Sequence, residues 1–246
     1  YVISFSNPRS IFRGDFMLRT LIWILGLISM PASGHGYHAT SDMTWSVGLK
    51  LEVEATETLR KTGDRFEMIL DATASIGSAT ETTNLLYQPE SGWKPLDYTY
   101  TQSILGRTTG RNFRFNWNKG SVTWLHEPER AEQIIPIETV DPLGFRLQLA
   151  YLLNNGRTLP TSITMLDGND IKVRSVVSGG LERVETPYGT IEAQKFHLVD
   201  DNPDPKRSFE FWLAPSLDYQ LVKLEKRDKK RLLALTLKAF TKAGTP

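Results

Sequence analysis

The sequence predicts a mainly β domain of antiparallel strands with one helix buried against the concave side of a sheet. Three observations carry this. Apolar and polar residues alternate through much of residues 49–240, the period of a half-buried strand. Turn signals recur between those runs, among them Thr62-Gly63-Asp64 and Asp167-Gly168. Only Leu143 to Leu153 breaks the alternation, and it stands between helix start and stop signals. Strands that follow one another without regular intervening helices argue against a parallel α/β sheet.

The first strand alternates Leu49, Leu51, Val53 and Ala55 with Lys50, Glu52 and Glu54. Phe66, Met68, Leu70 and Ala72 repeat the pattern after the Gly63 turn. Phe113, Phe115 and Trp117 alternate with Asn112, Arg114 and Asn116, and Asn118-Lys119-Gly120 turns the chain into Val122 and Trp124. Ile163 to Leu166 and Ile171 to Val177 flank Asp167-Gly168, a strong hairpin signal. Gly179-Gly180 leads into Leu181 to Val184. Ile191 and Ala193 fall on the opposite phase from Phe196 and Leu198, which predicts a bulge near Gln194-Lys195. Phe209, Phe211 and Leu213 alternate again. Tyr219 to Glu225 and Leu233 to Phe240 pair across a charged turn, Lys226 to Arg231.

Asp141 is placed to cap the helix, and Pro142 suits its first turn. Asn154-Asn155-Gly156 stops it. Phe145, Leu149 and Leu152 share one face, Leu143 and Leu147 a neighbouring one, with only Arg146 and Gln148 polar. A helix this apolar is buried. No Pro-, Gly- or Ser-rich linker divides the chain, so residues 35–246 read as a single domain.

Before that domain stands an address. Met17 and Arg19 precede the apolar run Leu21 to Ile28, and Pro31-Ala32-Ser33-Gly34 supplies small residues for cleavage. The run is shorter than the ~20 residues a membrane-spanning helix needs, so 17–34 reads as a cleaved secretory signal. Residues 1–16 read as a start-site extension. The expected compartment is the periplasm, with full secretion as the alternative. No later segment is apolar enough to predict a membrane span. There is no cysteine, hence no disulfide and no lipidated Cys after the signal. The chain carries a net charge of +1. Residues 1–34 hold Arg9, Arg13, Arg19 and Asp15, so the exported form is near −1. That argues against a general nucleic-acid binder, which needs a strong basic excess.

Three segments, in order and spacing, resemble the DUF3108 family of exported bacterial proteins of uncharacterised function. They are Asp141-Pro142-Leu143-Gly144-Phe145-Arg146-Leu147, Glu185-Thr186-Pro187-Tyr188-Gly189-Thr190-Ile191 and Phe211-Trp212-Leu213-Ala214-Pro215. Gly144 stands where that family usually has Ser. The first hairpin, around Gly48, matches loosely. The resemblance implies a curved antiparallel sheet or half-barrel clasping the helix, similar to periplasmic lipoprotein carriers. It carries no catalytic residues over.

Chemistry is sparse. No Gly-x-Ser-x-Gly elbow and no thiol offer a nucleophile. His126, with Glu127 and Glu129 close in sequence, is a candidate general base, and His197 lies on the polar phase of its strand. An amino-terminal His35, with His38, has the donors of a copper site only if cleavage follows Gly34; no metal and no cofactor is expected. The acidic stretch Asp200 to Asp204 lacks calcium-loop spacing. Aromatic residues offer a ligand lining: Trp93, Tyr98, Phe113, Phe115, Trp117, Trp124, Phe145 and Trp212. Arg107, Arg111 and Arg114 are placed at its rim to meet an anionic ligand. The basic run Lys223 to Arg231 is a candidate contact for anionic lipid or cell-wall polymer.

The function these features favour is a non-enzymatic carrier for an apolar or amphipathic envelope component, such as a lipid. The alternatives are an enzyme or accessory factor acting on envelope polysaccharide, and an assembly factor holding a protein partner.

Overall fold

Alternating side chains and tight turns build a long antiparallel meander. The computed structural model describes residues 36–46, 50–127, 129–130, 132–168 and 170–243. The expected signal segment, His35, Gly48 and Asn169 lie outside them. The strands are β1 (Tyr37–Ser46), β2 (Lys50–Thr62), β3 (Arg65–Ala74), β4 (Gly77–Gln88), β5 (Gly92–Ile104), β6 (Arg107–Asn116), β7 (Ser121–Trp124) and β8 (Gln133–Ile134). After helix α1 (Phe145–Asn154) come β9 (Ser162–Asp167), β10 (Asp170–Thr186), β11 (Gly189–Asp200), β12 (Arg207–Ala214), β13 (Gln220–Asp228) and β14 (Arg231–Lys242).

All fourteen form one sheet in the order β8-β7-β6-β5-β4-β3-β2-β1-β14-β13-β12-β11-β10-β9. Each half is a meander, and pairing of β1 with β14 joins the two, Met43 opposite Leu235. The sheet does not close into a barrel. One segment spans its edges instead. Ile135 N–H donates to Gly120 O at 2.8 Å, and five residues on Val140 N–H donates to Thr164 O at 2.9 Å. Val140 forms a parallel bridge to Met165 of β9. The chain then turns directly into α1.

The concave side holds two apolar clusters with α1 between them. Leu143, Leu147 and Tyr151, four residues apart, enter the cluster formed with Leu59, Met68, Leu85, Phe113 and Trp124. Phe145 and Leu149 enter the other, with Phe196, Phe211, Leu213 and Leu235. Leu152 sides with Leu147 rather than with Phe145 and Leu149. Asp141 Oδ1 accepts the N–H groups of Leu143 and Gly144 at 2.8 and 2.7 Å, so it caps the turn of residues 142–144 that leads into α1, while Gly144, at the helix's own N-cap position, offers no side-chain cap. Regular α-helix begins at Phe145, two residues later than expected. Gly92, at φ +84°, holds the β4–β5 turn against α1, where a side chain would meet Gln148 and Tyr151.

Three sequence expectations change. The bulge lies in β10, between Ser178 and Gly180, not at Gln194-Lys195 of β11. β11 stays regular, and Ile191 and Phe196 point to opposite faces because both faces are buried there. The far half of the β10–β11 hairpin folds over the outer side of the sheet. Val184, Ile191 and Ala193 cover Trp212, Val222 and Leu237, and Tyr188 N–H donates to Leu237 O at 3.1 Å. Gly179-Gly180 therefore interrupts one long strand rather than separating two; Gly180 takes φ +88°. The charged turn after Tyr219 is only Lys229-Lys230, since Lys226 to Asp228 pair within β13. Strands β4, β5 and the short β8 have no counterpart in the sequence reading, and β1 enters it only as one arm of the loosely matched first hairpin. In β4 (GSATETTNLLYQ) small and polar residues fill both phases, which hides the alternation.

Candidate functional site

Antiparallel alternation brings the β3–β4, β5–β6, β9–β10, β11–β12 and β13–β14 turns to one end of the sheet. A cleft of about 630 Å³ opens there, walled by β9 to β13 and closed from the far side by Arg111 of β6. Arg111 packs on the β9–β10 turn: a methyl placed on Gly168 would stand 3.2 Å from its Cζ.

The cleft walls are ionic. Arg174 is buried, and its guanidinium donates to Asp167 at 2.5 Å and to Asp200 at 2.7 Å. Lys172 pairs with Asp167 at 3.3 Å. Arg207 pairs with Asp228 at 2.9 Å and with Asp204 at 3.8 Å. Burial alone would raise the Asp167 carboxyl, but the charge of Lys226 and the hydrogen bond and charge of Arg174 hold it well below the ordinary carboxylate range. Two cations stay out of this pairing. Among the described residues, neither Arg111 nor Lys226 has a carboxylate within 4.0 Å. Lys226 instead lies 5.3 Å from the centroid of Phe209.

Deeper in the interior, charge is rationed by hydrogen bonds. Arg146 of α1 donates to Glu57 Oε2 at 2.7 Å, both side chains buried. Glu57 Oε1 accepts from Tyr37 at 2.7 Å and from Gln220 at 3.2 Å. Thr83 donates to the second oxygen of the capping Asp141 at 2.9 Å, and burial raises that carboxyl above its ordinary value. Glu81 accepts from Tyr98 at 2.7 Å. Burial raises the Glu81 carboxyl too, against the Tyr98 hydrogen bond and the charges of Arg146 and Lys226.

The predicted aromatic lining divides among three places. Trp93, Tyr98, Phe113, Phe115 and Trp124 are buried in the first cluster, with Trp117 half-buried on its margin. They pack on one another: Tyr98 stacks on Phe113 at 4.6 Å and Phe115 on Trp117 at 5.2 Å. The indole N–H of Trp124 has no acceptor among the described residues. Phe145 belongs to the second cluster. Trp212 lies on the outer side of the sheet, its N–H bonded to Glu182, with Lys195 and Lys223 over its ring at 4.8 and 4.4 Å.

Of the three rim arginines, Arg111 alone reaches the cleft; Arg107 and Arg114 are exposed beside it in β6. His197 borders the cleft and pairs with Glu210 at 3.0 Å. His126 lies elsewhere, 3.4 Å from Glu127, and its Nδ1 accepts Asn112 N–H at 3.1 Å. His38 Nδ1 is 3.1 Å from Thr58 Oγ1. Among the described residues no group of three His, Asp or Glu could hold a metal ion, and no helix is long and apolar enough to cross a membrane.

The architecture is that of a barrel-like antiparallel sheet built around one internal helix. Among solved structures the chain is similar to a β-barrel-like DUF1849 protein from Brucella abortus, at 11% identity and a TM-score of 0.52, covering 85% of this chain and 98% of that one. It also matches a candidate lipoprotein from Parabacteroides distasonis, at 10% identity and a TM-score of 0.30, over 85% and 96% of the two chains. A candidate exported protein with a YmcC-like fold from Bacteroides fragilis matches at 11% and 0.30, over 84% and 96%. No curated protein matches the sequence. Residues 40–230 match the model of DUF3108, described as a protein of unknown function, and the chain belongs to that family.

Proposed function

We propose that this protein is an exported, non-enzymatic binding protein of the cell envelope, and that its charged cleft takes the anionic group of an amphipathic ligand. The observation that carries this is the pair Arg111 and Lys226. In a wall where the other inward cations are matched by carboxylates, these two face the cleft unpaired, and Phe209 lies beside them. A charge left without a partner in a partly enclosed site favours binding an opposite one. The guanidinium supplies a planar fork and the ammonium a point charge, a combination suited to carboxylate or phosphate. The apolar part of the ligand would lie on Phe209 and on Leu198 and Val199, the apolar side chains among the charged ones that line the cleft. Export rests on the Met17 to Gly34 signal pattern, and the absence of a recognisable nucleophile and base pair favours binding over catalysis.

Mass spectrometry of gently purified protein tests this. An anionic amphiphile is expected to accompany the wild type and to fall about tenfold or more in Arg111→Ala/Lys226→Ala, the loss of about 1.4 kcal/mol or more of binding. A wild type free of ligand, with a melting temperature unmoved by anionic amphiphiles, would overturn the reading.

A further inference from the structure

We infer that the cleft-bearing end of the sheet docks on an anionic lipid bilayer. The inference builds on the reading of the cleft as an amphiphile site but rests on other residues. Lys206, Lys229, Lys230 and Arg231 are exposed at this end. Lys229 N–H donates to Lys206 O at 2.8 Å, which ties the β11–β12 loop to the β13–β14 turn and gathers the four cations into one patch. Among the described residues none of the four has a carboxylate within 4.0 Å. Of the neighbouring acids, Asp204 and Asp228 are held by Arg207, which leaves Asp201 exposed in the loop.

The second feature is Leu105, at the tip of the β5–β6 hairpin. It is 74% exposed and takes φ +49°. That left-handed conformation suits glycine or asparagine far better than a branched side chain. Its N–H donates to Ile76 O at 2.9 Å, so the β3–β4 turn holds the tip in place. Arg107 follows, exposed and without a carboxylate partner among the described residues. Residues 105–111 are exposed throughout, and Arg111 at their base meets the cleft.

An apolar tip and a patch of unpaired cations at the same end of the sheet fit a surface that is anionic outside and apolar just beneath. Leu105 and Ile76 would enter the headgroup boundary while the cations lie over the phosphates. An acidic protein would account for the cations but gives no reason for an exposed leucine in a strained turn. Docking in this orientation would place the cleft mouth at the bilayer, where an amphiphile is found.

Flotation of the exported protein with vesicles tests this. Binding is expected to phosphatidylcholine vesicles containing phosphatidylglycerol and not to phosphatidylcholine alone, and should weaken as salt rises. Lys229→Glu/Lys230→Glu should weaken it about tenfold or more. Leu105→Asn, which suits the turn and leaves the fold intact, should weaken it about threefold or more at a fixed salt concentration. Equal binding to both vesicle types, no binding to either, or a double variant that binds like wild type would overturn the inference. So would binding lost in the double variant but untouched by Leu105→Asn, which is the behaviour of a purely charged partner such as an acidic protein. Lys229 and Lys230 lie outside the cleft, so the double variant should keep its co-purified ligand. Normal vesicle binding by a ligand-free wild type would sink the cleft reading and leave this one standing.

Discussion

The two ends of the concave interior obey opposite rules. Around α1 the interior is packed: aromatic rings stack, and each buried charge has a named partner, Arg146 with Glu57 and Asp141 with Thr83 and two backbone N–H groups. At the cleft, ion pairs line the walls but Arg111 and Lys226 are left over. The first arrangement minimises unsatisfied charge, as a core must. The second tolerates it, at the border with solvent where the cost is small. On the proposed function, the difference separates residues that hold the fold from residues left for a ligand, and substitutions at the two ends test it.

The largest effects belong to the packed end. Phe113→Ala should cost about 3–5 kcal/mol, because the ring is fully buried against Tyr98 and Phe115. Arg146→Ala should cost a similar ~3–5 kcal/mol by leaving Glu57 buried and uncompensated. Urea unfolding measures both; a loss under ~1 kcal/mol for either would mean the interior relaxes or admits water. Asp141→Ala should cost about 1–2 kcal/mol through the lost cap, and Asp141→Asn, which can still accept from Leu143 and Gly144, should cost less.

A smaller pair of effects concerns pH and has opposite signs at the two ends. Burial raises Glu81 in the folded protein above the unfolded value of ~4.3. The folded state then holds that proton more tightly, so its contribution to stability falls as pH rises from ~4.3 through the raised folded value. Asp167 is held below the unfolded value of ~3.9. Its contribution is full above ~3.9 and is lost as pH falls through the folded value. Melting temperatures followed against pH should therefore show Glu81→Gln gaining on wild type toward neutral pH. Asp167→Asn should lose there and converge on wild type in acid. If both variants tracked wild type at every pH, the electrostatic contrast between the ends would fail.

The smallest stability effect is expected at the cleft. Arg111→Ala should change stability by no more than ~0.5 kcal/mol, since the side chain is exposed and unpaired. A loss above ~2 kcal/mol would make Arg111 a clasp between β6 and the β9–β10 turn rather than a ligand group.

Much of the fold was legible because side-chain phase reports burial locally. Phe66 and Met68, or Phe113 and Phe115, announce a strand with one inward face, and Asp141-Pro142 announces a helix start within two residues of where it falls. β4 was hidden because threonines and small residues occupy both of its phases. The slip between Ala193 and Phe196 was visible, but its cause was not: a hairpin that doubles back buries the opposite face of the same strand. At the site, Arg111 was readable as a basic residue beside aromatics. Lys226 looked like one more lysine in a charged turn, and no local signal marks its inward direction or its place over Phe209.

By itself, then, the sequence determined strand periodicity, the capped helix, the family and the aromatic character of the core, because each is written in residues close together along the chain. Only the tertiary structure decided which charges meet. Arg146 finds Glu57 across 89 positions, and Arg111 reaches Gly168 only because the two meanders curve around one helix. Long-range partners follow from the path of the whole sheet, and no short stretch of sequence encodes that path.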